Sequence, residues 1–135
     1  MKVSAAGQTK PMRNWAAVVV EDDPLIRVIA VEMLDDLGVR AYEAGNGAQA
    51  LEIVAECPEV RLVFSDVRMP GLNGADLARE LAERHPDVHV ALTSGYSDKV
   101  SAAGMSYIQK PWGRRDLAAL VDIVDGLMGP ARLAG

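Results

Sequence analysis

The chain has 135 residues, 50% hydrophobic and 24% charged, with a net charge of −5; that is enough for one domain with one core, in an ordinary globular balance. The negative charge and the absence of a basic cluster, Arg114 and Arg115 being too few, argue against a nucleic-acid surface, and no apolar run approaches the ~20 residues that span a bilayer. Cys57 is the only cysteine, which excludes an intrachain disulfide or a cysteine-built zinc site and fits a cytoplasmic location.

Residues 1–14 are polar, with scattered lysine and arginine and no apolar segment of the secretory kind, so they read as a disordered leader. The valine-rich run 15–20 reads as a buried strand. Glu21-Asp22-Asp23-Pro24 stops it and opens a helix, with Asp23 as cap and Pro24 in the first turn. Ile26, Ile29, Ala30, Met33, Leu34 and Leu37 fall on one helical stripe, and Arg27, Glu32, Asp35 and Asp36 lie off it. Gly38 ends that helix. A weakly patterned second strand covers 40–44. Gly45-Asn46-Gly47 then turns into a helix over about 48–56, with Leu51 and Val54 as core candidates and Pro58 beyond its end.

The third strand is the apolar stretch Leu62-Val63-Phe64-Ser65-Asp66, which ends on a carboxylate followed at once by a Pro70-Gly71 turn. Asn73 caps a helix over about 74–85, with Leu77 and Leu81 facing inward. Strands follow at 89–93 and 106–109, and a last helix over about 114–128 carries the stripe Leu117, Leu120, Val121, Val124, Leu127. His85 and His89 have no metal-ligand companions and are expected at the surface. Strands alternating with helices predict an α/β fold: a doubly wound, five-stranded parallel sheet of flavodoxin-like order 2-1-3-4-5.

In such a sheet ligands bind beyond the carboxyl ends of the strands. The first strand ends on Glu21-Asp22, the third on Asp66, the fourth on Thr93-Ser94 and the fifth on Lys110. The second ends on Ala44-Gly45 and offers no chemistry. Neighbouring strands lie ~4.8 Å apart, so the acids of strand one come within roughly 5–6 Å of Asp66. At an effective dielectric of ~20, two carboxylates at that range repel by about 3 kcal/mol. A cation among them relieves this, and hard oxygen ligands suit Mg²⁺. Lys110 starts ~10 Å to the side, within reach of its long stem. An aspartate can itself take a phosphoryl group. Glu21 and Asp22 then supply the metal site, Lys110 a cation and Thr93 a hydroxyl for the phosphoryl oxygens.

With Val19-Val20-Glu21-Asp22-Asp23-Pro24, Asp66-Val67-Arg68-Met69-Pro70-Gly71-Leu72-Asn73-Gly74, Thr93-Ser94-Gly95 and Lys110-Pro111-Trp112 in view, the chain resembles the receiver domain of two-component response regulators. The resemblance covers about 15–128. It implies phosphotransfer from a histidine kinase or histidine phosphotransfer protein to Asp66, and a conformational change relayed to a downstream protein. It implies direct Mg²⁺ ligation by Asp22, Asp66 and the Arg68 carbonyl, with Glu21 acting through water. It also implies pairing of Lys110 with the phosphoryl group, a cis Lys110-Pro111 bond, and Tyr107 as an aromatic switch coupled to Thr93. The organisation expected is a leader over 1–14, the receiver domain over 15–129 and a tail over 130–135, a single-domain regulator or an excised receiver. It would be an acceptor that phosphorylates and dephosphorylates itself, not an enzyme acting on others, with neither nucleic acid nor membrane as partner.

The segment between Thr93 and Lys110 is shorter than such domains usually have, and rich in glycine and serine. Residues 95–104 must hold both a loop and the fourth helix, which is predicted to be shortened to a turn or two or missing. Arg68 and Gly95 stand where the family tunes phosphate lifetime, and Trp112 replaces the more usual phenylalanine. Gly45-x-Gly47-x-x-Ala50 matches a dinucleotide fingerprint, but lies away from the topological switch point and is explained by a turn and a helix start. Two alternatives remain: an aspartyl-phosphate hydrolase of the haloacid dehalogenase kind, which calls for a second Asp where this chain has Arg68, and a degenerate receiver serving only as a binding module.

Overall fold

The computed structural model of the chain describes residues 12–95 and 105–132. In chain order the elements are β1 (Ala16–Val20), α1 (Pro24–Asp36), β2 (Arg40–Ala44), α2 (Gly47–Glu56), β3 (Val60–Asp66), α3 (Gly74–Arg84), β4 (His89–Ser94), β5 (Met105–Gln109) and α4 (Arg114–Met128), followed by a 3-10 turn at Gly129–Arg132. All pairings are parallel and the sheet order is β2-β1-β3-β4-β5, the doubly wound arrangement expected from sequence. The segment 95–104, expected to hold a shortened or missing helix, lies outside the described residues from 96 on; α4 here is the C-terminal helix. Among the described residues no helix is long and apolar enough to cross a membrane.

The helices start where their caps dictate. Asp23 accepts from the Leu25 N–H at 2.9 Å with Pro24 in the first turn, Asn46 accepts from Gln49, and Asn73 accepts from Asp76. Each cap satisfies a backbone donor that the helix itself cannot. α1 stops at Leu37, and Gly38 follows with φ +83°, a conformation open to glycine.

Strand alternation divides the core into two layers. Val18, Val20, Val63 and Leu92 face α2 and α3 with Ala50, Val54, Leu77 and Leu81. Ala17, Val19, Leu62, Phe64 and Ala91 face α1 and α4 with Ala30, Leu34, Leu117, Leu120, Val121 and Val124. Cys57 is half-buried against the first layer, a small hydrophobe as its neighbourhood suggests.

Four details depart from the sequence reading. Ile29 is exposed rather than core: at ~100° per residue it sits about 120° from the centre of the buried Ala30–Leu34 face. Leu127, at the end of the α4 stripe, is 70% exposed, because the last turn of the helix lies at the amino ends of β3 and β4, beside Arg61, Pro86 and Asp87. His89 is half-buried, its Nε2 2.8 Å from Ser106 Oγ, and burial pushes its pKa down; it points to the same layer as Ala91, two residues on. His85, too, is half-buried, at the C-cap of α3.

The fourth departure is Arg13, which the sequence places in the leader. Its N–H donates to the Gly38 carbonyl at 2.9 Å, and its guanidinium grips Asp125 of α4 through Nε and Nη2, both at 2.9 Å. Trp15 Nε1 donates to the same carboxylate at 3.0 Å. The pair is mostly shielded, with side-chain exposures of 19% and 12%. Asp125→Ala would leave two side chains, Arg13 and Trp15, without their shared acceptor, and is expected to cost about 2 kcal/mol in urea denaturation. A change below a few tenths would mean the contact contributes nothing.

Candidate functional site

The carboxyl ends of β1, β3, β4 and β5 converge on one point. Asp66, at the end of β3, is 9% exposed and in register with Thr93 of β4. Lys110, just past β5, reaches back so that Nζ lies 3.0 Å from Asp66 Oδ2 and 3.6 Å from Glu21 Oε1. Its base is fixed by its own N–H on the Ser94 carbonyl at 2.9 Å, and the Lys110–Pro111 bond is cis. Trp112 then packs edge-on against Phe64, ring centroids 5.4 Å apart.

Glu21, Asp22 and Asp66 each present a carboxylate oxygen within 4.8 Å of the others. Glu21 is buried and Asp22 exposed. Three acids so close, with one lysine, leave an excess of negative charge that a small divalent cation with oxygen preference would neutralise. The donor set therefore fits Mg²⁺.

The electrostatics follow from burial and partners. Burial raises the Glu21 pKa above its ordinary 4.5; the Asp23 N–H and Lys110 oppose the shift, while Asp22 and Asp66 add to it. Burial alone would lower Lys110, but its hydrogen bond to Asp66 and the charges of Asp66 and Glu21 outweigh that and hold it above 10.5. A carboxyl whose folded pKa exceeds its unfolded value favours folding below the unfolded value and loses that advantage as pH rises through the folded one. Glu21→Gln, which cannot ionise, is thus expected to gain melting temperature relative to the unsubstituted protein as metal-free buffer is raised from below pH 4.5 to neutrality. A gap that stays flat or narrows would contradict the direction of that shift.

Thr93 is 3% exposed, and its Oγ1 has no hydrogen-bond partner among the described residues. A buried hydroxyl left without a partner costs about 1–3 kcal/mol, so Thr93 Oγ1 is available to a group that enters the site. Thr93, Asp66 and Glu21 line, with Phe64 and Trp112, a space of about 10 Å³, at the limit for a single water. Arg68 is exposed, its N–H 3.4 Å from Asp66 Oδ1. Val67, Arg68, Met69, Pro70 and Asn73 line an open depression beside the acid. Tyr107 is half-buried on β5, in register with Leu92 and packed with the α2–α3 layer, so it leaves the sheet on the other side from Thr93.

One feature escaped the sequence reading. Arg27 of α1, counted there among residues off the apolar stripe, donates from Nη1 to the Glu21 backbone carbonyl at 2.7 Å and from Nε to Glu43 Oε1 at 3.0 Å. The edge strand β2, from which no chemistry was expected, thereby touches the site through Glu43. The available signal was an arginine one turn into a helix that opens directly on an acid pair.

The family model of the response regulator receiver domain matches residues 17–122. The sensor kinase CckA of Brucella abortus (strain 2308) is 37% identical over 111 residues, covering 77% of this chain and 12% of that protein. The DNA-binding transcriptional regulator NtrC of Escherichia coli (strain K12) is 34% identical over 118 residues, covering 82% of this chain and 25% of that protein. The chain thus spans a quarter or less of the length of these two relatives. Among solved structures, the receiver domain of the hybrid histidine kinase CckA is similar with a TM-score of 0.70 and 30% identity over 81% of this chain and 97% of that one. A receiver domain protein from Clostridium thermocellum has a TM-score of 0.77 and 25% identity over 83% and 94%.

Proposed function

The chain belongs to the response regulator receiver family, and from that premise we propose that Asp66 accepts a phosphoryl group from a histidine kinase or histidine phosphotransfer protein. Asp22, Asp66 and the Arg68 carbonyl would hold Mg²⁺, with Glu21 acting through water. The observation that carries this reading is the contact of Lys110 Nζ with Asp66 Oδ2 at 3.0 Å, beside three carboxylates whose oxygens gather within 4.8 Å. A cation in contact with a carboxylate that also belongs to a metal-competent acid cluster is what phosphoryl transfer to that carboxylate requires.

In the step itself an Asp66 oxygen attacks phosphorus. The bond from phosphorus to the donor histidine nitrogen breaks, and its electron pair stays on the imidazole, which takes up a proton. An acyl phosphate is left on Asp66. The nucleophile is a carboxylate and needs no general base. Bound Mg²⁺ would neutralise charge on the phosphoryl oxygens. Lys110 exchanges its Asp66 contact for a phosphoryl oxygen, and the Thr93 hydroxyl donates to another, satisfying the orphaned Oγ1. Tyr107 follows as the packing behind Thr93 changes, a population shift that a downstream protein reads. The unit that does this is residues 15–129, acting in the cytoplasm on itself rather than as a catalyst for other substrates.

The test is incubation of the whole chain with acetyl phosphate and Mg²⁺, followed by intact mass measurement. One phosphoryl unit, stable in acid, lost in base and absent when a chelator removes the metal, is expected. No adduct in the presence of Mg²⁺ overturns the proposal.

A further inference from the structure

We infer that Arg27 is a positioning residue for the divalent-cation site: by bridging the Glu21 carbonyl to Glu43 it fixes the Glu21–Asp22 peptide, and through that peptide it aims the Asp22 carboxylate. The inference rests on reading Glu21, Asp22 and Asp66 as that site.

Two of the three acids are held directly. Asp66 has Lys110 at 3.0 Å. The Glu21 carboxylate accepts from the Asp23 N–H at 3.1 Å, and the Glu21 N–H donates to the Ala44 carbonyl at 3.0 Å. Asp22 is the exposed member, two residues past the end of β1 and one before the cap of α1. Its direction depends on the rotation of the peptide plane that precedes it. That plane is rigid, so fixing the Glu21 oxygen fixes the Asp22 nitrogen and the departure of its side chain.

The Glu21 oxygen lies beyond the last β1–β2 pair, Val20 with Ala44, and Arg27 Nη1 takes it at 2.7 Å. Such a charge-assisted bond is short and strong. The guanidinium is itself fixed: Nε is on Glu43 at 3.0 Å, and the Arg27 N–H on the Asp23 carbonyl at 3.0 Å places its backbone in the first turns of α1. A planar fork serves two acceptors at once from one rigid group, which a lysine ammonium on a flexible stem does not. Groups that orient metal ligands in this way commonly change affinity by about 10–100-fold when removed.

The sign of the effect separates positioning from charge. Arg27 is a cation near a cation site, so losing it would tighten Mg²⁺ binding if only its field mattered. If it positions Asp22, losing it weakens binding. Mg²⁺ titration followed by tryptophan fluorescence reads this on the whole chain, because Trp112 lines the same space as Glu21 and Asp66 while Trp15 is buried beside Asp125 at the other end of the sheet. Arg27→Gln is expected to weaken Mg²⁺ binding about tenfold, and Arg27→Lys, which keeps the charge, to weaken it as well. In an Asp22→Asn background Arg27→Gln is expected to add no further loss. Unchanged or tighter binding in Arg27→Gln, or an equal loss with and without Asp22, overturns the inference; if Arg27→Gln does not fold, Arg27→Lys decides alone. A chain that shows no Mg²⁺ response before any substitution overturns the metal reading itself.

Discussion

Asp66→Asn is expected to reduce phosphoryl uptake by at least about 10³-fold, to the detection limit of an intact-mass assay. The amide has the size and shape of the carboxylate, and its oxygen can still accept from Lys110, which now stands 3.0 Å from Asp66. What it lacks is the negative oxygen that must form the new bond to phosphorus. The substitution also removes one of three acids clustered within 4.8 Å, so the Mg²⁺ site loses a ligand along with the nucleophile. The fold should persist, because relief of the Glu21–Asp66 repulsion partly offsets the weakened Lys110 contact, and melting temperature checks that. Stoichiometric uptake by a folded Asp66→Asn protein would move the acceptor elsewhere, with the exposed Asp22 the first candidate.

The second large effect is structural and lands on the same loop. Gly74 opens α3, and its N–H donates to the Val67 carbonyl at 2.9 Å. A Cβ there would lie 2.5 Å from the Asp66 carbonyl oxygen and 2.9 Å from Val67 Cα. Both are backbone atoms of the segment that carries the nucleophile, so no side-chain rotation relieves the clash. Gly74→Ala must push the start of α3 away from the end of β3. A cost of about 3 kcal/mol is expected in denaturant unfolding, with a further loss of phosphoryl uptake as Asp66 and Arg68 shift relative to Lys110. Uptake and stability both within error of the unsubstituted protein would mean that the loop yields freely. The sequence offered Gly74 only as part of a motif; the close approach of two backbones is its physical reason.

How much was legible depended on how local the signal was. The capped starts at Asp23 and Asn73, the strand ends at Glu21, Asp66, Thr93 and Lys110, and the sheet order follow from periodicity and turn chemistry, which act over a few residues. Register then places Asp66 beside Thr93 without further assumptions. Arg13 and Asp125 lie at opposite ends of the chain, and nothing near either one announces the other. Ile29 and Leu127 show the limit of periodicity: it gives an apolar stripe, while burial depends on how wide the facing surface is and where it ends. Arg27 was hidden for another reason. An arginine off the apolar stripe is commonly solvent-facing, and only the position of the Glu21 carbonyl gives it a task.

Borohydride reduces an aspartyl phosphate to homoserine, so peptide mapping of the protein after acetyl phosphate, Mg²⁺ and borohydride reads the acceptor directly. Conversion at position 66 and at no other is the expected result. An intact Asp66 in a chain that had taken up phosphate, with conversion elsewhere or none, would contradict Asp66 as the phosphoacceptor.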